Sequence, residues 1–234
     1  QRQMRRTWAV DGWTWDQWAP AVARYLGVIS LLDTQIGRIL EALERLGIAN
    51  DTLLIYSADH GDMCGGHGMV DKHSIMYDDV VRIPLILRWP GQVPAGARPE
   101  GFVSNAIDLP ATFCAAAGTT PPPTFAGRSL LDLARGADPA PRQDMYASYS
   151  GNQFGLYSER MLRDARWKYV WNPTAEDELY NLQADPGELH NLAAGGPGKE
   201  QLPRLRARLV DWMQQVKDPL LNGWTRKQLS GETR

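Results

Sequence analysis

Across residues 18–46 the apolar positions Val22, Leu26, Ile29, Leu32, Ile36, Ile39, Leu40, Leu43 and Leu46 recur at steps of three and four. That is the period of a helix with one apolar face, and it predicts a single long amphipathic helix. Gly47 supplies a left-handed stop, Asn50-Asp51 has turn chemistry, and Thr52 through Ser57 is a run of β-formers. The helix is therefore expected to feed a buried strand. A second apolar run, residues 83–89, ends at Pro90-Gly91. Beyond it a helix is expected over about 109–117, with Asp108 placed to cap it. Strands interleaved with helices imply an α/β sheet covered by helices over residues 1–125.

The pattern then changes. Pro, Gly and Thr gather at 119–123 and 136–141, marking loops on either side of a short segment near Leu130 to Leu133. Four strand candidates follow at 145–149, 160–163, 167–171 and 178–182, separated by turn residues. They predict a small antiparallel sheet. Leu202, Leu205, Leu209, Trp212, Met213 and Val216 lie at helical spacing and predict a final helix over about 200–216 that covers one sheet face. Residues 126–234 thus read as a C-terminal subdomain. Trp167 and Trp171, an even step apart on one strand, are expected to face its core.

Composition narrows the classes of function. The 25 basic and 27 acidic residues are mixed along the chain and leave a net charge of -2. Such a chain has no field to attract nucleic acid or an anionic membrane, and no apolar run is long enough to cross a bilayer. The start lacks an initiator Met and the apolar core of a signal peptide, so localisation is not readable from it. Cys64 and Cys114 sit beside small residues in unrelated segments, and no disulfide is expected.

The chemically dense stretch is Ser57 to Lys72, which follows the first predicted strand. In open α/β sheets ligands collect outside the carboxyl ends of strands. Four glycines keep its backbone bare. Asp59 and His60 offer one oxygen and one nitrogen to a divalent ion, provided further carboxylates arrive from elsewhere. The bland alternative is that Asp59 caps a turn, His60 and His67 are polar loop residues, and Lys72 is a solvated charge. His60, Cys64 and His67 are all legitimate zinc ligands, but their spacing fits no common zinc pattern.

The order of residues from Tyr25 to about Leu192 resembles the C-terminal half of a sulfatase of the alkaline-phosphatase-like superfamily. The resemblance is carried by Ile29-Ser30-Leu31-Leu32-Asp33 with Ile36-Gly37-Arg38, Ser57-Ala58-Asp59-His60-Gly61, and Gly66-His67-Gly68 with Lys72. It continues through Tyr77-Asp78-Asp79, Arg82-Ile83-Pro84-Leu85-Ile86, Ile107-Asp108-Leu109-Pro110, Trp167-Lys168-Tyr169, Glu178-Leu179-Tyr180-Asn181-Leu182, and Asp185-Pro186 with Glu188.

The resemblance implies that Asp59 and His60 are ligands of a divalent cation. Calcium is the usual ion, with magnesium or manganese open because His60 stands where many members have an amide. It implies that Lys72 holds the sulfate and neutralises the leaving oxygen, and that His67 orients the substrate or the loop. Asp71 and His73 read as solvated neighbours, and Tyr180, Asp185, Pro186 and Glu188 as turn determinants. Trp8, Trp13, Trp15 and Trp18 would line a substrate cleft or pack against an N-terminal half.

The implied reaction is metal-dependent hydrolysis of the sulfate ester of a sugar or small molecule. Its nucleophile is a formylglycine made from Cys or Ser in a Cys/Ser-x-Pro-x-Arg segment. Neither cysteine here has that setting, and no Asp-Asp pair precedes the long helix; Asp78-Asp79 follows Lys72 instead. The implied partner is therefore an N-terminal half bearing the nucleophile, and this chain alone is expected to be inactive. Two alternatives stand beside this reading: a phosphonate monoester or phosphodiester hydrolase on the same fold, and a non-catalytic pseudo-enzyme domain.

Overall fold

The computed structural model describes residues 2–72, 74–151 and 157–231, so His73 lies outside the described residues. The chain divides into two compact units, Gln1–Lys72 with Asp79–Ala97, and His73–Asp78 with Arg98–Arg234.

In the first unit α1 (Arg2–Thr7) leads to the long helix α2 (Trp15–Arg45). Thr14 and Gln17 close a capping box at its start, with the Thr14 N–H donating to Gln17 Oε1 at 3.0 Å. The helix ends at Gly47, whose φ of 70° only glycine adopts without strain. β1 (Leu54–Ser57) follows, then a loop, the short helix α3 (Asp78–Val81) that begins at the end of the second unit's first segment, and β2 (Leu85–Arg88). β1 and β2 pair antiparallel in register Leu54 to Arg88 through Ser57 to Leu85. Arg88 ties the ribbon to the preceding turn, donating to the Ala49 carbonyl at 3.0 Å and to Glu44 at 3.3 Å. The strand expected to be buried is only half-buried, because among the described residues no third strand joins this ribbon.

In the second unit α4 spans Asn105–Ala116 and begins four residues earlier than its apolar pattern suggests. Its N-cap is Ser104, which corrects the expectation that Asp108 caps it. Asp108 instead lies buried inside the first turns and reaches back to the Ser104 N–H at 2.8 Å. It also takes the Arg128 N–H at 3.0 Å and both Arg142 guanidinium nitrogens at 2.5 and 2.8 Å. A carboxylate with four donors is the hub of a loop cluster, and a charged bidentate partner is what makes its burial tolerable.

A short helix α5 (Leu131–Ala134) precedes four strands, β3 (Asp144–Gly151), β4 (Tyr157–Asp164), β5 (Trp167–Trp171) and β6 (Glu178–Asn181). They form an antiparallel meander in sequence order. One face carries Leu162, Trp167, Tyr169, Trp171 and Leu179 and packs on Leu205, Leu209 and Met213 of α6 (Leu202–Gln215). Alternation along the strands puts these residues on one side, as the sequence pattern requires. A last helix, α7 (Gly223–Ser230), is capped by the Asn222 side chain accepting the Thr225 N–H at 2.9 Å. Leu229 brings it into the same core.

The opposite sheet face is polar and buried. The Lys168 side chain, 0% exposed, donates to Asp78 at 2.5 Å, lies 2.6 Å from Glu188 Oε1 and reaches the Met76 carbonyl at 2.9 Å. Arg163 chelates Asp78 at 2.9 and 3.1 Å, and the Asp78 N–H donates to Glu188 at 2.6 Å. Burial alone would raise the Asp78 carboxyl, yet Arg163 and Lys168 hold it below the ordinary range. For Glu188 burial wins over Lys168 and its carboxyl is raised. Asp185 caps its turn, accepting the Leu189 and His190 N–H groups at 3.1 and 2.8 Å. Tyr180 lies on this polar face, 6.0 Å from the ring of Tyr77.

Candidate active site

The loop after β1 turns sharply because its backbone leaves the right-handed region five times, at Cys64, Gly65, His67, Gly68 and Asp71. Three of these are not glycine, a conformation that persists only where neighbours over-determine it. The determinants are visible. Met63 and Met69 are buried and pin the loop from below. The Met63 N–H donates to the Asp71 carbonyl at 3.0 Å, the Gly65 N–H to Met69 at 2.8 Å, and Asp62 accepts the Cys64 N–H at 2.7 Å. The Trp18 ring, itself edge-on to Trp13 with centroids 5.0 Å apart, lies where any side chain on Gly65 would meet it. Added Cβ atoms at Gly61 and Gly66 would collide with the Asp79 carbonyl and carboxylate. These bare positions let the loop close on itself, where the sequence suggested room for a ligand.

Asp59 and His60 stand together at the exit of β1. The His60 N–H donates to Asp59 Oδ1 at 3.0 Å, and His60 Nε2 lies 3.3 Å from Asp59 Oδ2. His60 Nδ1 is 2.8 Å from the Gly61 carbonyl. A carbonyl only accepts, so that contact requires the proton on Nδ1 and turns Nε2 toward the carboxylate. Two lone-pair-bearing groups facing each other in this way are a pair that a cation placed between them would satisfy. The Asp59 carboxyl is held below its usual range, first by the His60 N–H and then by the His60 ring, with the Lys72 ammonium contributing. The side chain itself is 87% exposed.

Lys72 therefore lies within electrostatic reach of Asp59. Its N–H donates to Asp71 Oδ1 at 2.8 Å, and its ammonium is 4.0 Å from the same oxygen. Asp71, expected to be solvated, is instead a half-buried turn residue with φ of 66° that sets the direction of Lys72. His67 is held through its carbonyl, which accepts from Arg5 Nη1 at 3.0 Å. Arg5, Trp18 and the two methionines were not read as part of this loop; the only sequence signal for them is the pair of Met residues bracketing the glycine run.

Among the described residues no group of three or more His, Cys, Asp or Glu side chains is arranged to hold a metal ion. His60, Cys64 and His67 thus form no zinc site, and Cys64 and Cys114 are free thiols. Asp59 and His60 fit as two neighbouring ligands, since 3.3 Å suits adjacent donors around an ion with bonds of roughly 2.0–2.5 Å. They do not close a site by themselves. A cavity of about 370 Å³ in the second unit is lined by Arg166, Asn181, Asp185 and His190 among others. No helix among the described residues is long and apolar enough to cross a membrane.

Two family descriptions match the chain: N-sulphoglucosamine sulphohydrolase, C-terminal, over residues 65–217, and Sulfatase over residues 3–119. An N-acetylglucosamine-6-O-sulfatase of Bacteroides thetaiotaomicron is 28% identical over 90% of this chain and 38% of its own length. The structure of a 2-O GAG sulfatase superimposes with TM-score 0.84 at 28% identity, over 92% of this chain and 47% of that one. A phosphonate monoester hydrolase of Agrobacterium radiobacter gives TM-score 0.73 at 32% identity, over 85% and 43%. The chain spans less than half the length of each of these three proteins.

Proposed function

The chain belongs to the sulfatase family, and from that premise we propose that it supplies the sulfate-holding lysine and two metal ligands of a sulfuric ester hydrolase. The observation that supports the reading is the Asp59–His60 pair at the exit of β1, with the Lys72 ammonium close enough to help hold the Asp59 carboxyl below its usual range. Asp59 Oδ2 and His60 Nε2 would hold the cation, with the Gly61 carbonyl fixing the imidazole tautomer. Calcium is the proposed ion, and magnesium or manganese are its competitors. When bound, the ion supplies positive charge beside the ester oxygens.

Lys72 holds the sulfate as an anion and offsets the charge that develops on the leaving oxygen; its backbone is fixed by Asp71 and the methionine-pinned loop. His67 orients the loop or the substrate from the same turn. The nucleophile and the remaining metal ligands come from outside the described residues. The substrate is a sulfated sugar or small molecule, since relatives of this chain are named for glucosamine and glycosaminoglycan sulfates. A second reading, hydrolysis of a phosphonate monoester, is supported by the 32% identical neighbour of that activity.

The test uses a full-length enzyme carrying this chain and paired aryl sulfate and aryl phosphonate esters. Lys72→Ala is expected to lower kcat on the sulfate by about 100-fold or more, and Asp59→Asn to raise the metal concentration needed for activity. Undiminished sulfate turnover in Lys72→Ala sinks the proposal. A larger kcat/KM on the phosphonate selects the second reading.

A further inference from the structure

The cavity in the second unit is built where the turn between β4 and β5, the end of β6 and the segment leading to α6 meet. Asn181, the last residue of β6, pairs in register with Trp167, the first of β5, so the two side chains share the sheet face that carries the core. Trp167 is 6% exposed and lines the cavity with Leu192 and Pro197 as an apolar wall. The segment ahead of α6 lies directly on that ring, because Gly198 has φ of 103° and a Cβ there would collide with it.

Three polar groups in this cavity are left over by the fold. Asn181 Oδ1 is buried and has no hydrogen-bond partner among the described residues, which is costly for a buried acceptor. The Arg166 guanidinium rests 5.3 Å from the centre of the Trp167 ring and pairs with no carboxylate among the described residues. Glu200 accepts the Gly198 N–H at 3.0 Å through Oε2 and keeps Oε1 for a further donor. Asp185, by contrast, is already engaged by two backbone N–H groups, with the His190 ring 3.6 Å from its Oδ2.

Water satisfies Asn181 but gains nothing from the apolar wall, so the lining favours an occupant with both a carbon skeleton and donors. At about 30 Å³ per water-sized group the space accommodates about a dozen non-hydrogen atoms. The unpaired guanidinium selects an acid, and its fork matches the two oxygens of a carboxylate. Asp185 and Glu200 on the same rim oppose a doubly charged group such as phosphate. We propose that this cavity binds a hydroxylated carboxylic acid the size of one acidic sugar ring, with its carboxylate toward Arg166, a hydroxyl donating to Asn181 Oδ1 and its carbon face against Trp167 and Leu192. The site goes beyond the sulfatase reading and uses neither Lys72 nor Asp59.

The 234-residue chain is titrated with glucuronate, glucose and acetate, followed by saturation-transfer NMR and calorimetry. Glucuronate is expected to bind with Kd on the order of 1 mM, as suits about a dozen non-hydrogen atoms, and glucose and acetate at least tenfold more weakly. Arg166→Gln lowers glucuronate affinity about tenfold and removes its advantage over glucose. Asn181→Leu, which replaces the orphan acceptor with an apolar group, abolishes binding of both sugars while circular dichroism shows the fold retained. Lys72→Ala leaves glucuronate binding unchanged, which separates this site from the one proposed for sulfate. Absence of glucuronate binding, equal affinity for glucose, binding that survives both Arg166→Gln and Asn181→Leu, or binding lost in Lys72→Ala would each overturn the proposal.

Discussion

Gly61 donates its N–H to the Val80 carbonyl at 2.8 Å, and a methyl group on its Cα would collide with the carbonyl of Asp79. Gly61→Ala is therefore expected to destabilise the first unit by more than about 2 kcal/mol, read by chemical denaturation, because backbone rather than a flexible side chain must move. A different residue-scale expectation concerns Glu159, which is 9% exposed and has its carboxyl pushed up to about 8, first by burial and then by Glu178. The folded state keeps this proton where the unfolded chain, with its ordinary carboxyl, has lost it. The contribution of Glu159 to stability is thus fully present below about pH 4.5 and is lost as pH rises toward 8, by at most about 1.4 kcal/mol per unit. Glu159→Gln should flatten that slope and raise the midpoint of thermal unfolding at pH 8; an unchanged slope would refute the assignment. At this scale the adjacency of Asp59 and His60 at the exit of β1 was legible, because it depends only on residue order along one segment. Asp79 and the two methionines were not, since their role is a close approach between segments that no spacing encodes.

The small sheet was the most legible element group. Its four strands and the α6 helix lie where alternation and helical period placed them, and Trp167 and Trp171 are buried on the α6 side. Period is a local property, and here it was uninterrupted. The two elements read less well have physical reasons. α4 starts at Asn105 because Asp108 is satisfied by Arg142 and Arg128, which are 34 and 20 residues away. α7 is a two-turn helix whose signal is one cap, Asn222. The polar sheet face yields a further expectation. Lys168→Met leaves the buried Glu188 and the half-buried Asp78 without their shared cation and should cost about 3–5 kcal/mol in the second unit, measured by urea unfolding. Lys168→Met combined with Glu188→Gln should cost less than the sum of the single changes, since the two groups share one cluster.

At the scale of the molecule, the second unit is discontinuous, since it contains His73–Asp78 as well as the C-terminal tail. Residues 98–234 expressed without the earlier segment are expected to be less stable than the same unit in the whole chain. They lack the Asp78 carboxylate and the Met76 carbonyl that receive Lys168. The given chain by itself should show no turnover of an aryl sulfate, because neither cysteine is followed by Pro and Arg and, among the described residues, no three or more His, Cys, Asp or Glu side chains are arranged to hold a metal ion; measurable turnover would refute this. The sequence alone determined the family, the long amphipathic helix, the small sheet and the strand-end Asp-His pair, all of which depend on period or on residue order along one segment. Tertiary structure alone decided that the glycine-rich loop closes on Asp79, that Asp108 is a hub rather than a cap, and that Lys168 serves two carboxylates. Each of these is a meeting of groups 13 or more residues apart, and such meetings are fixed by packing and charge neutralisation in space rather than by spacing in the chain.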